Sequence, residues 1–125
     1  MICGVGTDIA EIVRMREAVD KWGRKFLKRI FSDKEIAYCY SKRDPFPHLS
    51  ARFAAKEATV KALSCIIRDR HIYIGDVEVL NESSGRPYIV LGEEIQGMVG
   101  KLILHLTISH ERNYALATVI AEQID

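Results

Sequence analysis

Arg52-Phe53-Ala54-Ala55-Lys56-Glu57-Ala58-Thr59-Val60-Lys61-Ala62 is the stretch on which the fold turns. Its pattern extends to a helix from about His48 to Arg68. Leu49, Phe53, Val60, Leu63 and Ile67 recur at the helical period and form one stripe. Ala51, Ala54, Ala55, Ala58 and Ala62 form a second face of small residues. A helix apolar on two sides is expected between layers rather than on a surface. Lys56 falls in the middle of the large-residue stripe. Glu57 and Lys61, four apart, share the narrow polar strip between the two faces.

What packs against that helix is legible on either side of it. Ile2 to Ile9 alternates like a strand, with Cys3, Val5, Thr7 and Ile9 on one face. Ile2, Gly4, Gly6 and Asp8 share the other. Two glycines leading to an acid leave an open lane beside it, and glycine in a strand often marks close approach of backbone or ligand. Helical patterns follow from about Ala10 to Phe31, interrupted at Gly23. Ser32, with Glu35 three residues on, predicts a capping box and a helix to about Ser41. Asp44-Pro45-Phe46-Pro47 reads as a loop.

The second half is β-rich. Val77–Leu80 and Tyr88–Leu91 flank a turn-rich connection that contains Gly85-Arg86-Pro87. Glu93–Gly100 predicts a short helix. Leu102–His110 alternates, with Leu102, Leu104, Leu106, Ile108 and His110 on one side. Tyr114–Ala121 returns as a hairpin partner. The layout is α+β: one domain over 1–125, with helices packed on one face of a mainly antiparallel sheet.

At 125 residues the chain is long enough to bury a core unaided. Its net charge of +1 offers no global attraction to nucleic acid or membrane. The charge is unevenly spread: Arg14, Arg16, Lys21, Arg24, Lys25, Lys28 and Arg29 face only Glu17 and Asp20 between them. That stretch suits an acidic partner, although a solvated helix face would look the same. Cys3, Cys39 and Cys65 are too few and too widely spaced for a disulfide framework or a zinc site. They read as small core residues in a reducing compartment. With no signal peptide and no membrane-length apolar run, the expectation is a cytoplasmic protein.

Asp8 and Glu57 are the candidate metal ligands, because magnesium favours a few carboxylates plus waters and a substrate phosphate. Lys56 and Lys61 would add charge against phosphate oxygens. Each residue also has a plainer explanation: a helix cap for Asp8, a surface ion pair for Glu57 and Lys61, and snorkelling for Lys56. Ser109-His110-Glu111 closes the long strand. A hydrolase triad there is disfavoured, because neighbours in a strand point to opposite faces. His48, His71 and His105 read as structural or surface residues.

Taken together these segments resemble the holo-(acyl-carrier-protein) synthases, the short type of 4′-phosphopantetheinyl transferase. The segments are Gly4-Val5-Gly6-Thr7-Asp8-Ile9, Arg52 to Ala62, and Ser109-His110-Glu111-Arg112-Asn113-Tyr114-Ala115. Arg24 to Ser32, Tyr38-Cys39 and Gly85-Arg86-Pro87-Tyr88 fit as well. The resemblance implies transfer of phosphopantetheine from coenzyme A to a serine of an apo acyl carrier protein, with adenosine 3′,5′-bisphosphate released and fatty-acid synthesis served. It implies magnesium on Asp8 and Glu57, and Lys61 near the pyrophosphate. Lys56, Ser109, His110 and the Gly85-Arg86-Pro87 turn would contact coenzyme A. Arg14, Lys21, Arg24, Lys25 and Lys28 would dock the acidic carrier helix, and the chain would form a homotrimer with active sites between subunits. Leu63-Ser64-Cys65-Ile66-Ile67-Arg68-Asp69 departs from the family's Gly-Thr-Gly turn, which suggests a longer central helix. Thr7 replaces a usual aliphatic residue. Ala37 stands where some members carry an acid, which leaves a metal-bound water or Glu57 as candidate bases. A magnesium-dependent phosphodiesterase or nuclease and a non-catalytic binding module are the competing readings.

Overall fold

The computed structural model describes residues 1–124. In chain order it contains β1 (Ile2–Glu11), α1 (Ile12–Ile30), α2 (Asp33–Tyr40) and α3 (Pro45–Ser64). A 3-10 turn at Ile74–Asp76 leads to β2 (Val77–Asn81), β3 (Pro87–Leu91), α4 (Glu93–Val99), β4 (Leu102–His110) and β5 (Tyr114–Gln123). The strands form an antiparallel sheet in the order β1-β5-β4 and a separate β2-β3 hairpin. The expected α+β architecture is present.

Helix α3 lies across the inner face of the three-stranded sheet. Ala54, Ala55, Ala58 and Ala62 are fully buried against Ala117, Val119 and Ala121 of β5. The strand glycines make this approach possible. A methyl group at Gly4 would overlap the carbonyl oxygen of Ala62, and one at Gly6 would overlap that of Ala58. Helix and strand therefore meet backbone to backbone. A second cluster joins Leu63, Ile67, Ile72, Val77 and Ile95, and a third joins Met15, Leu27, Phe31, Cys39 and Leu49.

Several boundaries differ from expectation. β1 continues through Glu11, where Ala10 pairs with Ala115, so Asp8 lies inside a strand and caps no helix. Asp44-Pro45-Phe46-Pro47 is not a loop. Asp44 is the N-cap of α3, accepting a hydrogen bond from Phe46 N at 3.1 Å, and the prolines occupy the first turn, where a missing N–H costs nothing. α3 stops at Ser64 instead of running to Arg68. The hydroxyl of Ser64 donates back to Lys61 O at 2.7 Å, and Ile67 folds down into the second cluster. Gly23 interrupts α1 as expected, taking φ of 63° at a kink. Of the cysteines only Cys39 is a core residue; Cys3 is half-buried and Cys65 exposed. Burial raises the Cys39 thiol to about 11, which leaves it unreactive.

Candidate active site

β1 and α3 bring Asp8 and Glu57 together. Lys61 Nζ donates to Asp8 Oδ1 at 2.9 Å and to the carbonyl of Thr7 at 3.0 Å. The Asp8 side chain is 21% exposed and that of Lys61 53%, so this cluster is open to solvent and to a ligand. Burial and then the nearby Asp8 charge raise the Glu57 carboxyl above its ordinary value, with Lys61 partly offsetting them. Two carboxylates that repel each other, one already engaged by a lysine, form an electrostatically unfinished site. A divalent cation relieves that repulsion, and one with few protein ligands keeps room for water and phosphate. These residues fit magnesium.

A second group of polar residues runs along the other side of α3. Arg52 and Glu57 are five residues apart, about 140° around the helix. Arg52 is buried, and its Nη2 donates to Asn81 Oδ1 at the base of the β2-β3 hairpin. Asn81 Nδ2 donates in turn to the Gly85 carbonyl at 2.9 Å, which ties the Gly85-Arg86-Pro87 turn to Arg52. The turn needs glycine, because Gly85 has φ of 93°. The guanidinium also covers the Tyr38 ring, 4.1 Å from its centroid. The His48 ring meets Tyr38 edge-on at 6.2 Å and His110 at 6.0 Å. Burial, helped by Arg52 and His110, lowers His48 below its ordinary value. Arg52 Nε is buried with no hydrogen-bond partner among the described residues, a donor left for something else.

The two groups stand on opposite edges of the sheet. Asp8 is in register with Ala117 and, beyond it, Ile108; His110 lies two residues further along β4. Two strand spacings separate β1 from β4, about 10 Å. Within one chain His110 and Asp8 do not share a pocket. Ser109 and His110 point to opposite faces of β4, which removes any Ser-His-acid triad there.

Lys56, expected to contact coenzyme A, is 2% exposed and engaged within the chain, 2.7 Å from Glu35 Oε1 and 2.7 Å from the carbonyl of Ile30. Its place in the large-residue stripe is explained by a buried carboxylate that comes from another helix. Among the basic residues of α1, Arg14, Lys21, Arg24, Lys25 and Lys28 are all exposed, and beside them Trp22 is 60% exposed. Arg16 is drawn off by Asp44 at 3.3 Å. Reading the sequence missed Arg52, Tyr38 and His48 as one cluster. The only local signal was the spacing of four between His48 and Arg52, which puts both on one side of α3.

The profile of the 4′-phosphopantetheinyl transferase superfamily matches residues 4–119. A holo-(acyl-carrier-protein) synthase of Halothermothrix orenii is 41% identical, with 98% of this chain and 99% of that protein aligned. One from Thermodesulfovibrio yellowstonii is 42% identical over 96% and 98%. The solved Helicobacter pylori holo-(acyl-carrier-protein) synthase in complex with coenzyme A superposes with a TM-score of 0.82 at 30% identity, covering 94% of this chain and 99% of that one. The Mycobacterium tuberculosis acyl carrier protein synthase gives 0.81 at 32%, covering 99% and 100%. With a matching profile over most of its length, full-length relatives of one activity and the same fold, the chain belongs to the 4′-phosphopantetheinyl transferase superfamily as an enzyme of its holo-(acyl-carrier-protein) synthase branch.

Proposed function

We propose that this enzyme transfers 4′-phosphopantetheine from coenzyme A to a serine hydroxyl of an apo acyl carrier protein, releasing adenosine 3′,5′-bisphosphate. The observation that carries the reading is the open cluster of Asp8, Glu57 and Lys61 at the β1–α3 contact. Asp8 and Glu57 would hold magnesium, which when bound supplies charge against the pyrophosphate. Lys61 gives a mobile point charge beside it and, as an exposed side chain, can exchange Asp8 for a phosphate oxygen. Glu57 is also a candidate to receive the serine proton.

The second polar group completes the site from a neighbouring subunit. His110 stands on the sheet edge opposite Asp8, so a site between two chains would bring both sets onto one coenzyme A. The outer face of the sheet supports that assembly: Val5, Ile9 and Leu116 are 56%, 60% and 44% exposed in the single chain. A homotrimer covers this face and sets the β4 edge of one subunit against the β1 edge of the next. Ser109, on the outer face, would then meet coenzyme A bound across the joint. Arg14, Lys21, Arg24, Lys25 and Lys28 would dock the acidic helix of the carrier protein, with charge matching setting encounter rate and partner choice. Fatty-acid synthesis in the cytoplasm is the setting that suits such a substrate. No helix among the described residues is long and apolar enough to cross a membrane.

Intact-mass measurement of apo acyl carrier protein incubated with the enzyme, coenzyme A and magnesium tests this directly. The expected result is a gain of one phosphopantetheine, lost with a chelator and with Glu57→Ala. No gain while coenzyme A binds would point to a binding module. Cleavage of DNA or RNA that depends on Asp8 would revive the nuclease.

A further inference from the structure

The last turn of α1 and the first turn of α2 are joined only by Phe31 and Ser32. Helix ends leave carbonyls and amides without partners inside the helix. Here one buried ion pair serves both. Lys56 reaches from α3 to donate to Ile30 O at the end of α1, placing a cation at a helix C-terminus. Glu35 Oε1 accepts from Ser32 N at 2.8 Å, placing an anion at the N-terminus of α2. Glu35 Oε2 accepts from Val79 N of β2, also at 2.8 Å. Phe31 lies under the ammonium, 5.5 Å from it. Ser32 Oγ donates to Glu78 Oε2 at 2.6 Å, a second tie to β2. Four elements thus meet at one pair whose side chains are 2% and 0% exposed.

Above this junction the surface is open. A cleft of about 370 Å³ separates Lys28 and Arg29 of α1 from Glu78 and Val90 of the hairpin. The basic end of α1 is therefore held to the rest of the molecule largely from beneath. Lys56 is also the immediate neighbour of Glu57, so any tilt of α1 relative to α3 changes the distance between the basic residues and the candidate metal acids. We infer that Lys56 and Glu35 are positioning residues for carrier-protein recognition: their pair sets the register of the basic helix α1 against the helix that carries Glu57. This rests on the docking role proposed above for α1. It separates two helix neighbours by task, since Glu57 acts at the reacting group and Lys56 acts through α1.

Steady-state kinetics of the full-length enzyme tests the inference, using the double substitution Lys56→Met with Glu35→Leu. An apolar pair of similar volume leaves no lone buried charge, as a single substitution would. The expected result is a KM for apo acyl carrier protein raised about tenfold, or 1.4 kcal/mol. The KM for coenzyme A and the kcat at saturating carrier should stay within about threefold of the parent, as for lost uniform binding. A folded double variant with an unchanged carrier KM overturns the inference. So does one in which the coenzyme A KM rises while the carrier KM holds. An inactive parent enzyme refutes the proposed function instead, and the two failures are distinct. If the double variant does not fold, amide exchange of the parent decides. Carrier protein should slow exchange at Ser32 and Val79 together with α1, and protection of α1 alone overturns the coupling.

Discussion

Two lysine–carboxylate pairs on α3 differ by one feature. Lys61 meets Asp8 at 2.9 Å and Lys56 meets Glu35 at 2.7 Å, from positions five residues apart on the same helix. The first pair is 53% and 21% exposed; the second is 2% and 0%. In water an ion pair is cheap to open and can be exchanged for a ligand. Dry, and with its remaining bonds supplied by Ile30 O, Ser32 N and Val79 N, it cannot open without stranding a charge. Under the proposed function the same chemistry serves the reaction where solvent reaches it and the architecture where solvent is excluded. Burial, more than residue type, separates the two tasks.

That comparison can be broken in steps. Asp8→Asn should lower kcat/KM on the order of 10⁴-fold, about 5.5 kcal/mol of barrier, with the urea midpoint nearly unchanged. A large stability loss would put Asp8 in the architectural class. Lys56→Met should destabilise by about 3–5 kcal/mol because it leaves Glu35 buried and alone. Urea unfolding should show only part of that loss recovered when Glu35→Leu is added, because Ile30 O, Ser32 N and Val79 N still lose their partners. Lys61→Met should cost less than about 1 kcal/mol in the same measurement. Its kcat/KM should nevertheless fall about 10²-fold, 2.7 kcal/mol, and equal damage to stability would erase the contrast.

The smallest effect concerns pH. Glu57 binds its proton more tightly folded than unfolded, so its contribution to stability is complete below the ordinary carboxyl value. It is lost as pH rises through the raised folded value. In the metal-free enzyme a charge on Glu57 stands half-buried against Asp8 and is only partly offset by Lys61. Glu57→Gln should raise the metal-free Tm at pH 7 by up to about 3 °C and flatten its dependence over that acidic window, while abolishing transfer. An unchanged Tm–pH profile would mean that neither burial nor Asp8 raises Glu57.

Much of this was readable beforehand, for a local reason. The two apolar faces of α3, the Ser32–Glu35 capping box and the alternation of β1 and β4 are short-range patterns, and each is present. Where the reading failed, a distant contact or a first-turn rule decided. Pro45 and Pro47 look like helix breakers until Asp44 is recognised as the N-cap. The capping box announced Glu35 as a helix cap, but its second oxygen binds Val79 and its charge binds Lys56, neither of which any local spacing reveals. Arg52 likewise finds Asn81 across 29 residues. The Asp8–Glu57 pairing lies between these cases: the glycine lane and alanine face hinted at it, and only the tertiary contact brought it about.

The pairing of β1 with β5 has a consequence for synthesis. Thr7 sits opposite Thr118 and Ile2 opposite Glu122, with Met1 and Gln123 exchanging hydrogen bonds. Contacts between such remote segments form late, because a long loop must close first. A ribosome making this chain releases the strand that bears Asp8 well before β5, its hydrogen-bonding partner. Until β5 follows, α3 has no complete sheet to lie on, and Asp8 has no fixed place beside Glu57. The nascent chain is thus barred from its own chemistry until β5 has emerged.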